Sequence, residues 1–257
     1  MIMAPEIAIL PDEKQLADAA AQQFISAGNA AIEARGTFAV ALSGGSTPRS
    51  VYARLATEPF VSAIDWARIH FLWGDERCVP PDHEASNYRM ARETLLAHVP
   101  VPEANVHRMR GEDDPEAAAN DYEHVLRRLL RTPTGPPRAE PAFRLDLVLL
   151  GLGADGHTAS LFPGGSSLHT DDWVAAEFVP AVSMWRMTLT PVVINAAAEI
   201  VFLASGQAKA DIVRKVLAGP VSPVALPAQL IGSAGERVRW LLDAPAASGL
   251  HPQRSSG

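Results

Sequence analysis

Short runs of apolar residues alternate along this chain with longer amphipathic stretches. Glu6–Leu10, Phe38–Ser43, Ile69–Gly74, Leu145–Leu150, Ile200–Ser205 and Val238–Asp243 have strand length. Leu145–Leu150 is apolar almost throughout, as a strand covered on both faces must be. Trp173–Val179 and Met184–Thr190 also read as strands, and Asn105–Met109 as a short one. The helical stretches run from Asp12 to about Arg35, Thr47 to about Ala56, Asn87 to His98, Pro115 to about Arg131 and Gln207 to Ala218. Asp12, Ser86 or Asn87, and Pro115 supply N-terminal signals for three of them. This alternation predicts an α/β protein: a single doubly wound, Rossmann-like domain over 1–248 with a mainly parallel sheet and helices on both faces. Thr132–Pro141, crowded with proline, is expected to be a surface loop, and Gly249–Gly257 a disordered tail.

Composition narrows the functional classes. With 257 residues, 47% of them hydrophobic and 20% charged, the chain can bury one sizeable core. No apolar run approaches the roughly 18 residues of a membrane span, and the N-terminus has no basic or secretory region. Cys78 is the sole cysteine, so an internal disulfide is impossible and a cytoplasmic location is expected. A formal net charge of -7 argues against a nucleic-acid surface. An anionic small substrate would need a local cluster of cations set against that background.

The central apolar strand runs into Gly151-Leu152-Gly153-Ala154-Asp155-Gly156-His157. The bare Gly-x-Gly-x-x-Gly pattern suggests a dinucleotide fingerprint, with Asp171 or Asp172 at about the 20-residue distance of a ribose-binding acid. Pro163-Gly164-Gly165 breaks the helix such a site needs, and the acids precede a strand where they should end one. The pattern therefore reads as a glycine turn that presents Asp155 and His157 at the carboxyl end of a buried strand. A histidine there suits proton transfer near neutral pH.

Other strand ends carry complementary chemistry. Ser43-Gly44-Gly45-Ser46-Thr47 precedes Pro48 in the first turn of a helix, where free N–H groups and the helix dipole favour an anion. Asp75, Glu76 and Arg77 leave the Ile69–Gly74 strand in what reads as an exit loop, and Arg77 can clamp a phosphate with two bonds. Lys209, in the first turn after Ser205-Gly206, opposes the helix dipole unless an anion sits there. His70, Cys78 and His83 lack zinc-ligand spacing, so no metal is assigned. The chain holds no Gly-x-Ser-x-Gly elbow, which disfavours covalent serine catalysis.

Taken together, Leu42–Pro48, Trp73–Arg77 with Ser86-Asn87-Tyr88, Gly151–Gly164 and Ser205–Lys209 resemble the 6-phosphogluconolactonases. Met184–Pro191 and Leu226–Leu230 match as well, so the resemblance covers about residues 6 to 245. It implies hydrolysis of 6-phospho-D-glucono-1,5-lactone to 6-phosphogluconate, without a cofactor. Glucose-6-phosphate dehydrogenase and 6-phosphogluconate dehydrogenase would be its functional neighbours in the pentose phosphate pathway. On this resemblance the catalytic set is His157, Asp155 and Asp75. The substrate-binding set is Ser43, Gly44, Gly45, Ser46, Thr47, Arg77, Asn87, Arg186 and Lys209. The related glucosamine-6-phosphate deaminases have a tyrosine where this chain has Arg77 and a glutamate where it has Phe162. A sugar-phosphate-binding regulator on the same fold would carry an added partner-binding segment.

Overall fold

The computed structural model describes residues 5–130, 144–231 and 237–250. Its strands are β1 (Glu6–Leu10), β2 (Phe38–Leu42), β3 (Ile69–Trp73), β4 (Asp75–Arg77), β5 (Leu147–Leu150), β6 (Val174–Val179), β7 (Met184–Leu189), β8 (Glu199–Ala204) and β9 (Val238–Asp243). Its helices are α1 (Glu13–Arg35), α2 (Ser46–Leu55), α3 (Asn87–Ala91), α4 (Pro115–Leu129), α5 (Pro191–Ile194), α6 (Ala210–Ala218) and α7 (Ala244–Ala247). Six strands form one sheet in the order β1-β9-β8-β5-β2-β3, and every adjacent pair is parallel.

The order reverses between β2 and β5. From β2 the chain steps outward through α2 to β3. From β5 it steps the other way, to β8 and then through α6 to β9. Right-handed crossovers in opposite directions put α2 and α6 on opposite faces. The strands between them must then be apolar on both sides, and β5 is buried at all four positions. Phe24, Phe38, Trp66 and Phe71 pack as a cluster of edge-on and stacked rings beneath α1.

Four expectations need correction. Asp75–Arg77 is not an exit loop but the strand β4, part of a separate antiparallel sheet ordered β4-β7-β6. Gly74 joins the two sheets: its N–H donates to Leu42 O at 2.8 Å and its carbonyl accepts from Leu189 N at 2.7 Å. Asn105–Met109 is not a strand, since only Val106 bridges to Phe71 and Glu103–Asn105 is a single 3-10 turn. The segment after Asn87 is α-helical only to Ala91, then widens into a π turn over Arg92–Leu96. Leu250 packs against the core instead of trailing from it. Residues 251–257 of the expected tail, and the proline-rich 132–141, lie outside the described residues. No helix among the described residues is long and apolar enough to cross a membrane.

At the amino end of β3, His70 Nδ1 lies 3.1 Å from His107 Nε2 and the rings stack. Burial, then the charges of His70 and Arg128, lower the His107 pKa from 6.5 to about 4. The unfolded chain therefore binds a proton at this residue between those values while the folded chain does not. Stability from this group is complete above pH 6.5 and falls as the pH drops toward 4. Urea unfolding of the wild type and of His107→Gln should show a stability difference that narrows between pH 7 and pH 4.5.

Candidate active site

The β2–β5 ladder has two paired positions, Val40 with Leu147 and Ala41 with Val148, at the point where the strand order reverses. Ligands in open α/β sheets bind beyond such a point. The loops after β2 and β5 here flank a cleft of about 410 Å³. Of the residues expected from the sequence, Ser43, Gly44, Gly45, Ser46, Thr47, Asp75, Arg77, Asn87, His157, Arg186 and Lys209 all line it. Asp155 does not; it stands behind the imidazole.

His157 is held from several directions. Its Nδ1 lies 2.5 Å from Asp155 Oδ1, which also accepts the His157 backbone N–H at 3.1 Å. An acceptor on Nδ1 fixes the hydrogen there and leaves Nε2 as the basic nitrogen. Burial raises the Asp155 pKa, but its bonds and charge interaction with His157 outweigh this and leave it below the ordinary value. The turn closes through Gly153 N to His157 O at 2.8 Å, with Gly156 at φ 86°, a left-handed conformation suited to glycine. The Phe162 ring leans on the imidazole with centroids 4.4 Å apart.

Past His157 the chain makes a strained step. Ala159 has φ 48°, unusual for a residue with a Cβ. The next residue, Ser160, gives its hydroxyl to Asp75 Oδ2 at 2.7 Å and its N–H to Thr188 Oγ1 at 3.2 Å. Asn87 Nδ2 reaches Asp75 Oδ1 at 3.2 Å and the Asp75 carbonyl at 2.9 Å. Asp75 is 6% exposed, so its carboxylate is held by neutral donors at the edge of the cleft.

Arg77 and Arg186 stand opposite each other in the β4–β7 register. Like charges directly across a ladder repel. Burial, followed by the Arg77 charge, lowers the Arg186 pKa from its ordinary value. Both Nε atoms are buried without a hydrogen-bond partner, although Arg77 Nη1 donates to Ala85 O at 2.5 Å. A bound anion would relieve the repulsion and satisfy the donors. Near the cleft's other wall, Lys209 Nζ donates to Leu152 O at 2.7 Å, and Thr47 Oγ1 meets Ser205 Oγ at 3.0 Å. The Ser43 hydroxyl is buried and unpartnered. Gly44 is required by packing, because a Cβ there would lie 1.9 Å from Asn87 Oδ1.

Among the described residues, no group of three or more His, Cys, Asp or Glu side chains could hold a metal ion. Burial, with the Glu76 charge adding to it, pushes the Cys78 thiol up to about 11, which keeps it protonated at neutral pH. Sequence reasoning missed the contact of Ser160 with Asp75 and the place of Val182 in the lining. No local pattern signals either, since one spans 85 residues and the other depends on the β6–β7 turn.

The fold and cleft define an α/β protein whose topological switch point gathers a hydrogen-bonded Asp155–His157 dyad and two facing arginines. Residues 11–240 match the family described as glucosamine-6-phosphate isomerases/6-phosphogluconolactonase. A 6-phosphogluconolactonase of Synechocystis sp. is 40% identical over 97% of this chain and 100% of its own length. One from Haemophilus influenzae is 34% identical over 80% and 85% of the two chains. The structure is similar to that of 6-phosphogluconolactonase from Trypanosoma cruzi, with TM-score 0.84 and 30% identity over 98% and 99% of the chains. The chain belongs to the glucosamine-6-phosphate isomerase/6-phosphogluconolactonase family.

The dyad has a direct test. A Cβ on Gly153 would lie 2.1 Å from His157 Nδ1, so Gly153→Ala must push the ring off Asp155. A hydrogen-bonded Nδ1 proton should be visible at low field in the wild-type proton NMR spectrum and absent from the variant. The substitution should cost only about 1 kcal/mol of stability, because the turn is at the surface.

Proposed function

We propose that the chain is a 6-phosphogluconolactonase, hydrolysing 6-phospho-D-glucono-1,5-lactone to 6-phospho-D-gluconate. The observation that carries this reading is the pairing of an Asp155-oriented His157 with two partner-seeking arginines in one cleft. The full-length similarity to proteins of that name supports it.

In the reaction, His157 Nε2 removes a proton from a water molecule as its oxygen attacks the lactone carbonyl. Negative charge collects on the carbonyl oxygen, where backbone N–H groups of the glycine turns can stabilise it. When the tetrahedral intermediate collapses, the ester C–O bond breaks and the imidazolium protonates the departing ring oxygen. The acid formed then ionises, and its proton goes to solvent. Asp155 keeps the ring oriented and stabilises its charged form. Arg77, Arg186, Lys209 and the Gly44–Thr47 loop bind the phosphate, Asn87 faces the sugar hydroxyls, and Asp75, its carboxylate held by Ser160 and Asn87, completes the catalytic set.

A deaminase reading places a glutamate where Phe162 stands. Here that position holds a hydrocarbon ring packed on the imidazole, which can relay no proton. We place the enzyme in the cytoplasm, consistent with its single free cysteine. It would act between a dehydrogenase that produces the lactone and one that consumes the acid, namely glucose-6-phosphate dehydrogenase and 6-phosphogluconate dehydrogenase.

Lactone generated in situ by glucose-6-phosphate dehydrogenase, with acid release followed, tests the activity. His157→Ala should lower kcat by about 10²- to 10⁴-fold, the usual contribution of a positioned acid–base. A variant keeping a third of wild-type kcat would remove His157 from the mechanism. Arg77→Ala should lower kcat/KM by roughly ten- to a hundredfold and reduce discrimination against the unphosphorylated lactone. Undiminished discrimination would refute the phosphate role.

A further inference from the structure

Along β4 the side chains alternate: Asp75 and Arg77 line the cleft, while Glu76 faces away and is 2% exposed. No cation partners it in the described structure. Its Oε1 accepts the backbone N–H groups of Arg77 at 2.8 Å and Asn87 at 2.7 Å. Its Oε2 accepts the Tyr88 N–H at 2.8 Å and the Ser86 hydroxyl at 3.0 Å. Burial, opposed by these bonds and aided by the Asp75 charge, leaves its pKa above the ordinary value.

An unpaired buried carboxylate is expensive unless donors surround it, and truncating it would orphan the N–H groups it satisfies. Those N–H groups belong to a segment that does two things at the cleft. The Ala85 carbonyl, one residue before the bonded Ser86, holds Arg77 Nη1. Asn87, whose backbone is bonded to Glu76, places its carboxamide on Asp75 and against Gly44. We propose that Glu76 is a positioning residue for substrate binding, fastening residues 86–88 to β4 so that Arg77 and Asn87 are aimed before the phosphorylated sugar arrives. It touches no substrate itself. The proposal rests on the reading that the Arg77 wall binds a phosphate.

The test is Glu76→Gln, compared with the wild type in steady-state kinetics and in calorimetric titration with inorganic phosphate. The amide sets an N–H₂ against N–H donors, so the segment should loosen. KM for the lactone and Kd for phosphate should both rise by about tenfold or more, the scale of losing a charge-assisted bond, with kcat changing less. Glu76→Asp should recover part of both. A merely structural carboxylate would reduce the active fraction, and so kcat, while KM and Kd stayed put. That result overturns the proposal, as does a Glu76→Gln enzyme unchanged throughout. If Glu76→Gln does not fold, Ser86→Ala decides in the same terms: a rise of a few-fold in KM and Kd supports the role, and unchanged values overturn it. A wild type that binds phosphate but lacks lactonase activity would refute the assigned reaction, yet the phosphate titration would still judge Glu76.

Discussion

Everything at the cleft follows from what happens to backbone polar groups where a parallel sheet stops. Beyond the last rung of each ladder, buried N–H and C=O groups lose their strand partners and must find others. Two buried tyrosines perform this service. Tyr52 OH donates to Ser43 O and accepts from Ser43 N just past β2. Tyr122 OH accepts from Trp73 N at the end of β3. Asp243 takes the Gly206 N–H past β8, and at the adjoining antiparallel sheet Glu76 takes the N–H groups of Asn87 and Tyr88 past β4. With the rims secured by side chains, the loops after β2 and β5 are free to serve a ligand. Stability and binding thus compete for the same kind of group, and the fold resolves the competition strand by strand.

The main sheet was legible because its information is local. Each buried strand is a short apolar run, and Asp12, Ser86 and Pro115 announce helices, the first two by accepting from N–H groups one turn on. In the small sheet β6 and β7 were legible in the same way, but β4 was not, for the opposite reason. β4 consists of Asp75, Glu76 and Arg77, an all-charged triplet that no strand propensity would select. It is a strand only because β7 lies alongside and because each charge has a tertiary use. Asn105–Met109 erred the other way, its sequence offering strand-like residues that find a partner only at Val106.

The site divides along the same line. Asp155 and His157 are two residues apart, so a glycine turn suffices to bring them together. Arg77 and Arg186 are far apart in sequence, and their meeting depends on the β4–β7 register. Resemblance supplied Arg186; periodicity could not have. Ser160, which no nucleophile elbow marks in the sequence, spends its hydroxyl on Asp75. Its neighbour Ala159 holds the left-handed backbone that turns the chain there.

The two facing arginines also bear on how a reaction cycle ends. A phosphate remote from the reacting carbonyl is the same group in lactone, intermediate and opened acid. Whatever affinity the arginines provide is therefore shared by all three and leaves the chemical barrier as it was. By itself such a grip would retain the product as firmly as the substrate. Ring opening alters the other end of the molecule, where a new carboxylate forms close to a cleft edged by the buried Asp75 and backed by Asp155. Any preference for releasing the opened acid over holding the lactone must therefore come from that end of the molecule and not from the arginines.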